Sequence, residues 1–145
     1  MNADLAALYQ SVILDHNRRP RNFRALDNAR RAEGHNPLCG DRLTVFVRIE
    51  NGVVEEAAFQ GFGCAIATAS ASMMTDSIAG RTVADACALA ARLEALLSPE
   101  GNGAADDLGS LTALAGVRQF PLRIRCATLP WQAFIAAIRT PSSYV

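Results

Sequence analysis

The sequence has no surplus of charge: Lys+Arg and Asp+Glu both number 14 in a chain of 145 residues. A nucleic-acid binder carries a basic excess and an anionic membrane surface recruits one, so the balance points away from both partners. Long hydrophobic runs are also missing. Apolar residues near the N-terminus are spaced rather than continuous, with no basic leader before them. No stretch approaches the roughly 18 consecutive apolar residues that a membrane span needs. The expectation is a cytoplasmic chain. Internal repeats, low-complexity tracts and a paired Cys-x-x-Cys zinc-ribbon motif are absent too.

What the sequence does have is apolar content, 50% of its residues, enough at this length to bury a core. One domain over residues 1–145 is the natural reading. The four cysteines are Cys39, Cys64, Cys87 and Cys126. In a reducing compartment such thiols bind metals or react more often than they pair, and a chain this apolar needs no covalent staple.

Hydrophobic periodicity outlines the elements. Leu5, Leu8, Tyr9, Val12 and Ile13 form one stripe of an amphipathic helix from Asp4 to about His16. The basic run Arg18, Arg19, Arg21, Arg24 around Pro20 reads as a solvated loop. Leu43, Val45, Val47 and Ile49 alternate with Thr44, Phe46 and Arg48, which predicts a strand. Asn51-Gly52 follows as a hairpin turn, because both positions accept φ > 0. Val53–Gln60 is the return strand. A helix follows from Ala65 to Ala79, with Gly80 as its C-cap. Thr82 and Asp85 open another that runs to about Leu97. Ser98–Asp107 reads as loop and Leu108–Ala115 as a short helix. Val117–Arg125, with Pro121, is expected to be extended or irregular. The last helix is placed over Leu129–Arg139, with Pro130 in its first turn. Strands segregated from helices give an α+β fold, a small antiparallel sheet of about three strands packed against several helices.

Three cysteines fall at expected element ends. Cys39 lies in a turn made by Pro37 and Gly40, Cys64 at a strand-to-helix junction after Gly61 and Gly63, and Cys126 at or just before the last helix. A thiol near a helix N-terminus meets the positive end of the macrodipole, which favours thiolate, the form that ligates metals and attacks sulfur. The separations from 39 to 64 and from 64 to 126 are long, so any convergence must come from the fold. On spacing alone, three packed cysteines and a metal site stand level. Asp41 on its own reads as a turn or strand-cap residue.

Local sequence separates the two. The segments Asn36-Pro37-Leu38-Cys39-Gly40-Asp41, Gly61-Phe62-Gly63-Cys64-Ala65-Ile66 with Ala69-Ser70-Ala71-Ser72-Met73-Met74, and Arg123-Ile124-Arg125-Cys126-Ala127-Thr128-Leu129 resemble the IscU/NifU-N-terminal iron–sulfur scaffold family, in order and over nearly the whole chain. Two departures place the resemblance within that family. Arg125 stands where the IscU type has His. Phe120-Pro121-Leu122-Arg123-Ile124 stands where it has a Leu-Pro-Pro-Val-Lys motif read by a chaperone. A segment around Gly101 to Gly116 looks like the insertion of the SufU type. That resemblance implies an IscU-like fold and zinc held by Cys39, Asp41, Cys64 and Cys126, with Arg125 beside it. It also implies persulfide sulfur accepted at Cys39 from a cysteine desulfurase and passed to downstream iron–sulfur assembly proteins. The protein would work in relay rather than as a stand-alone catalyst.

The chemistry suits that set. Three thiolates and a carboxylate complete a tetrahedral zinc shell and carry four negative charges against two, an excess that Arg125 would offset. An aspartate is a harder partner than a fourth thiolate, so such a site opens more readily. Two alternatives remain. One is a scaffold for a labile [2Fe–2S] cluster, and the other is a structural zinc module that only binds partners. A Cys-dependent hydrolase ranks last, since neither histidine sits in a motif that would supply its base. Cys87, four residues after Val83 on one helical face, is expected in the core. His35 is a loop residue that could approach the site, and His16 is expected to complement the C-terminal dipole of the first helix.

Overall fold

The computed structural model describes residues 3–98, 108–139 and 143–144. The side chains of Leu5, Leu8 and Tyr9 and most of the Ser98–Asp107 loop, including the start of the insertion at Gly101, lie outside the described residues. Helix α1 (Ala3–Arg18) precedes strands β1 (Arg30–Asn36), β2 (Asp41–Glu50) and β3 (Val53–Phe62). Helices α2 (Ala65–Ile78) and α3 (Val83–Leu97) follow, then a 3-10 stretch (Gly109–Gln119), helix α4 (Pro121–Arg139) and a short strand β4 (Ser143–Tyr144). The sheet order is β3-β2-β1-β4. The first three strands are antiparallel and β4 runs parallel to β1. The class is α+β, as the sequence indicates.

Alternation sets the inner face of the sheet. Leu43, Val45 and Val47 of β2 pair with Gly61, Phe59 and Ala57 of β3, and all but Gly61 are buried. Helix α4 lies over β1 and β2, and α2 over β3; α1 packs on α2 and the 3-10 stretch. The hairpin turn forms as its residues dictate, with Asn51 and Gly52 at φ 52° and 74° and Glu50 opposite Val53. Thr82 caps α3 by accepting from the Asp85 N–H.

Several elements differ from expectation. Strand β1 has no hydrophobic alternation to announce it, because its inward residues are Ala32, Gly34 and Asn36. Gly34 is small for a reason: a Cβ there would meet Leu129 Cγ of α4 at 3.0 Å. Cys39 therefore lies in the turn joining β1 to β2, not ahead of the first strand. Residues Val117–Arg125 are helical rather than extended except at Phe120, which separates the 3-10 stretch from α4, and the last helix starts at Pro121, not Leu129. Pro121 takes the first helical position, where a missing N–H costs nothing. Pro130 is interior, and Cys126 sits in the second turn of α4. Cys87 is half-buried rather than core, in a recess between α3 and α4 beside Glu94, Gln132 and Arg139. His16 is buried, and its Nδ1 shares a 2.7 Å hydrogen bond with Ser72 Oγ. Burial lowers its pKa, the opposite of what the helix dipole would do. In the basic loop, Arg21 pairs with Asp15 at 2.6 Å and Arg24 with Glu56 at 2.7 Å.

Candidate metal centre

The turn between β1 and β2 is built by Asn36. Its side-chain Oδ1 accepts the Leu38 N–H at 3.3 Å, its carbonyl accepts the Cys39 N–H at 3.2 Å, and Gly40 at φ 72° completes the reversal. Cys39 is thereby presented at an exposed tip. Asp41, two residues on, faces inward at the start of β2 and is fully buried. Its Oδ1 accepts the Cys64 N–H at 2.7 Å. Its Oδ2 is buried with no hydrogen-bond partner.

Cys64 is the N-cap of α2, its Sγ accepting from the Ala67 N–H at 3.4 Å. Cys126 approaches from α4. Its thiol lies 3.3 Å from Cys39 Sγ, and Asn36 Nδ2 points at it from 3.6 Å. One ligand atom each from Cys39, Asp41 and Cys126 falls within 4.8 Å of the other two. Cys64 lies outside that tight trio but adjoins it, through its N–H to Asp41 and its influence on Cys126.

Burial pushes the Cys126 thiol up, and the neighbouring Cys39, Asp41 and Cys64 push it further. Three acidic groups, with Cys64 beside them, thus come together around one buried acceptor, Asp41 Oδ2, that lacks a donor. A cation among them reverses that field and satisfies the unpartnered oxygen. The spacing also fits: two ligands roughly 2.3 Å from a tetrahedral ion stand about 3.8 Å apart. Cys39, Asp41 and Cys126 could therefore hold a metal, with Cys64 able to complete four donors.

Arg125 is exposed and donates from Nη2 to the His35 carbonyl at 3.4 Å, linking α4 to β1. The His35 side chain points outward from β1 and is not among the ligand trio. Two residues of the site were not singled out from sequence. Asn36 entered only as the first residue of the Asn36–Asp41 motif, with no role given to it. Ser70 reads as helix packing, yet its Oγ donates to the Ala127 carbonyl at 2.5 Å and accepts from Trp131 Nε1 at 3.0 Å. That bridge ties α2, capped by Cys64, to the turn of α4 that bears Cys126. Pro130 has no N–H to offer the Cys126 carbonyl four residues back, so this turn needs outside support.

The fold and this cluster define a protein of the iron–sulfur assembly type, and the chain belongs to the NifU-like N-terminal domain family, whose model matches residues 8–127. Among its relatives, the zinc-dependent sulfurtransferase SufU of Bacillus subtilis is 41% identical over 132 residues, covering 91% of this chain and 90% of that one. The iron–sulfur cluster assembly scaffold protein IscU of Streptococcus pyogenes serotype M1 is also 41% identical, covering 91% and 83%. The crystal structure of a nitrogen-fixing NifU-like protein (N-terminal) from Brucella abortus superposes with a TM-score of 0.82 at 25% identity, covering 91% and 92%.

Proposed function

We propose that this protein accepts sulfur for iron–sulfur cluster assembly, with zinc held by Cys39, Asp41, Cys64 and Cys126 and with Cys39 as the acceptor thiol. One observation carries the reading. Two thiols, Cys39 and Cys126, converge with a buried carboxylate that has an unpartnered oxygen, Cys64 adjoins them, and of the three thiols Cys39 alone is exposed. The similarity to a zinc-dependent sulfurtransferase supports zinc as the ion. Bound there, zinc would keep the buried sulfurs as thiolates at neutral pH.

The donor is a cysteine desulfurase carrying a persulfide, and transfer is thiol exchange. The Cys39 thiolate attacks the terminal sulfur of the donor's Cys–S–SH. The donor's S–S bond breaks, its cysteine leaves as thiolate, and a new S–S bond gives Cys39–S–SH. The proton stays on the transferred sulfur and nothing is oxidised overall. Asn36 and Gly40 position Cys39, and Arg125 offsets negative charge at the site's edge. The chemistry requires reduced thiols, which suits the cytoplasm. No helix among the described residues is long and apolar enough to cross a membrane.

A second reading, a [2Fe–2S] scaffold on the same residues, is favoured by the equal identity to a protein named IscU scaffold. Metal and sulfide analysis of anaerobically purified protein separates them. We expect about one zinc per chain and no visible absorbance; a brown protein with acid-labile sulfide makes the scaffold correct. Persulfide loading after mixing with a desulfurase should vanish in Cys39→Ser, and normal loading of that variant overturns the role given to Cys39.

A further inference from the structure

Large apolar side chains are seldom left in water, and here they are left in one place. Leu38 is 81% exposed, Phe62 80%, Leu122 75% and Phe120 51%. Leu38 precedes Cys39 in the turn. Phe62 ends β3 opposite Arg42, the neighbour of Asp41. Leu122 lies one helical turn before Cys126, and Phe120 immediately precedes α4. The other large apolar residues exposed among those described, Leu14 and Phe23, are less so, and Phe23 stacks edge-on against Phe59 at 5.2 Å. Local structure gives no reason for the four. They come from three separate parts of the chain: Leu38, Phe62 and Leu122 lie within one helical turn or less in sequence of Cys39, Cys64 and Cys126, and Phe120 flanks Leu122.

Arginines edge this patch. Arg42, Arg123 and Arg125 are exposed on the same elements. Arg42 meets Glu33 at 3.4 Å, whereas neither Arg123 nor Arg125 makes an ion pair among the described residues. Of the carboxylates near this end, Asp41 is buried inside the cluster and Glu33 is engaged by Arg42, which leaves Arg123 and Arg125 without an acidic partner among the described residues. Exposed apolar side chains at the cysteine end, edged by arginines, have the anatomy of a protein interface, with an apolar centre and a polar rim.

We propose that Leu38, Phe62, Phe120 and Leu122 form a docking collar for the persulfide-bearing protein itself, whose complementary face is an apolar ring with an acidic edge. This inference rests on the sulfur-acceptor reading, and continuity with the thiols selects the occupant. Exchange needs the two sulfurs in contact, so the donor must cover this end of the molecule. The apolar ring excludes water around the exchanging sulfurs and sets affinity. Arg123 and Arg125 steer approach and set salt dependence. Leu38, Phe62 and Leu122 lie at a turn or element ends with their side chains largely in solvent, so replacing them leaves the core intact.

The test measures binding of a cysteine desulfurase to the full zinc-loaded chain by calorimetry, alongside persulfide loading. Phe62→Ser and Leu122→Ser should each weaken binding about tenfold or more, the scale of an interface hot spot. Leu14→Ser, on α1, should change it by less than about twofold. Arg123→Glu should slow association and flatten its salt dependence. Circular dichroism and zinc content confirm that the variants are folded. If wild-type protein binds but takes up no sulfur, the acceptor reading fails and the collar stands. If it takes up sulfur and the collar variants bind and load as wild type does, the collar is overturned and the reading stands. No binding by wild-type protein, or self-association at this face instead, also overturns it.

Discussion

The two ends of the sheet obey opposite rules. At the hairpin end every local signal agrees with the structure: Asn51-Gly52 turns the chain, Gly80 sits at φ 87° and Thr82 caps α3. The backbone there is tied across elements, with the Gly80 N–H to the Val54 carbonyl at 2.7 Å, Val54 N–H to Arg81 at 2.8 Å and Val83 N–H to Gly52 at 2.9 Å. At the cysteine end a buried carboxylate oxygen has no partner, a thiol is pushed up in pKa, and large apolar side chains stand in water. A sequence consistent at one end and locally inconsistent at the other gives up stability where chemistry or binding needs it. The hairpin end holds the fold, and the cysteine end uses it.

Two glycines put that contrast to its hardest test. Gly52 has φ 74° and open space around it, whereas Gly61 has φ 125° and a Cβ there would run into the Arg42 carbonyl and meet Leu43 Cα at 3.0 Å. Gly52→Ala should cost only the left-handed backbone penalty, about 1–2 kcal/mol. Gly61→Ala should cost about 3 kcal/mol or more and spread β2 from β3 beside Asp41. Urea melts read the stability and zinc titration the site, where Gly61→Ala alone should lose affinity. Equal costs and equal affinities would erase the distinction between the ends.

Ser70 sharpens it further. Ser70→Ala strands the Trp131 indole N–H in the core and removes the second bond to the Ala127 carbonyl, at about 1–3 kcal/mol. If the bridge merely stabilises, a core truncation of similar cost at the hairpin end, Val54→Ala, will affect zinc binding equally. If it positions Cys126 against Cys64, zinc affinity should drop about tenfold in Ser70→Ala and stay unchanged in Val54→Ala. Fluorescence of Trp131, the single tryptophan, reports the lost bond directly.

How much was legible follows the same division. The β2–β3 hairpin, α2 and α3 could be read from period and caps because their signals are local. Strand β1 was hidden because its inward residues must be small or polar to admit Leu129 and to reach Cys126. The start of α4 was misplaced because Pro121 looks like a breaker when it stands first in a helix, and Pro130 like a first-turn residue when it is interior. The cysteines could be read as a set only through the motifs around them. That Cys39, Asp41 and Cys126 converge, and that Asp41 keeps a free oxygen, are facts of tertiary packing.

The smallest expected effect concerns the seam between α1 and α2. His16 bonds Ser72 Oγ, which also accepts the Arg21 N–H at 2.8 Å, so one buried hydroxyl anchors both α1 and the loop after it. Burial, with repulsion from Arg21, holds the His16 pKa below its ordinary 6.5, whereas in the unfolded chain it titrates near that value. Between the two values the unfolded chain binds more protons, so stability rises with pH. The contribution is complete above the unfolded value and is lost as pH falls through the folded one. Urea midpoints should therefore decline as pH drops below about 6.5, by no more than about 1.4 kcal/mol per unit. His16→Gln, which keeps a polar group for Ser72 but cannot titrate, should decline less. An identical decline would mean that α1 is held by its apolar stripe alone and that the hydroxyl anchors only the loop.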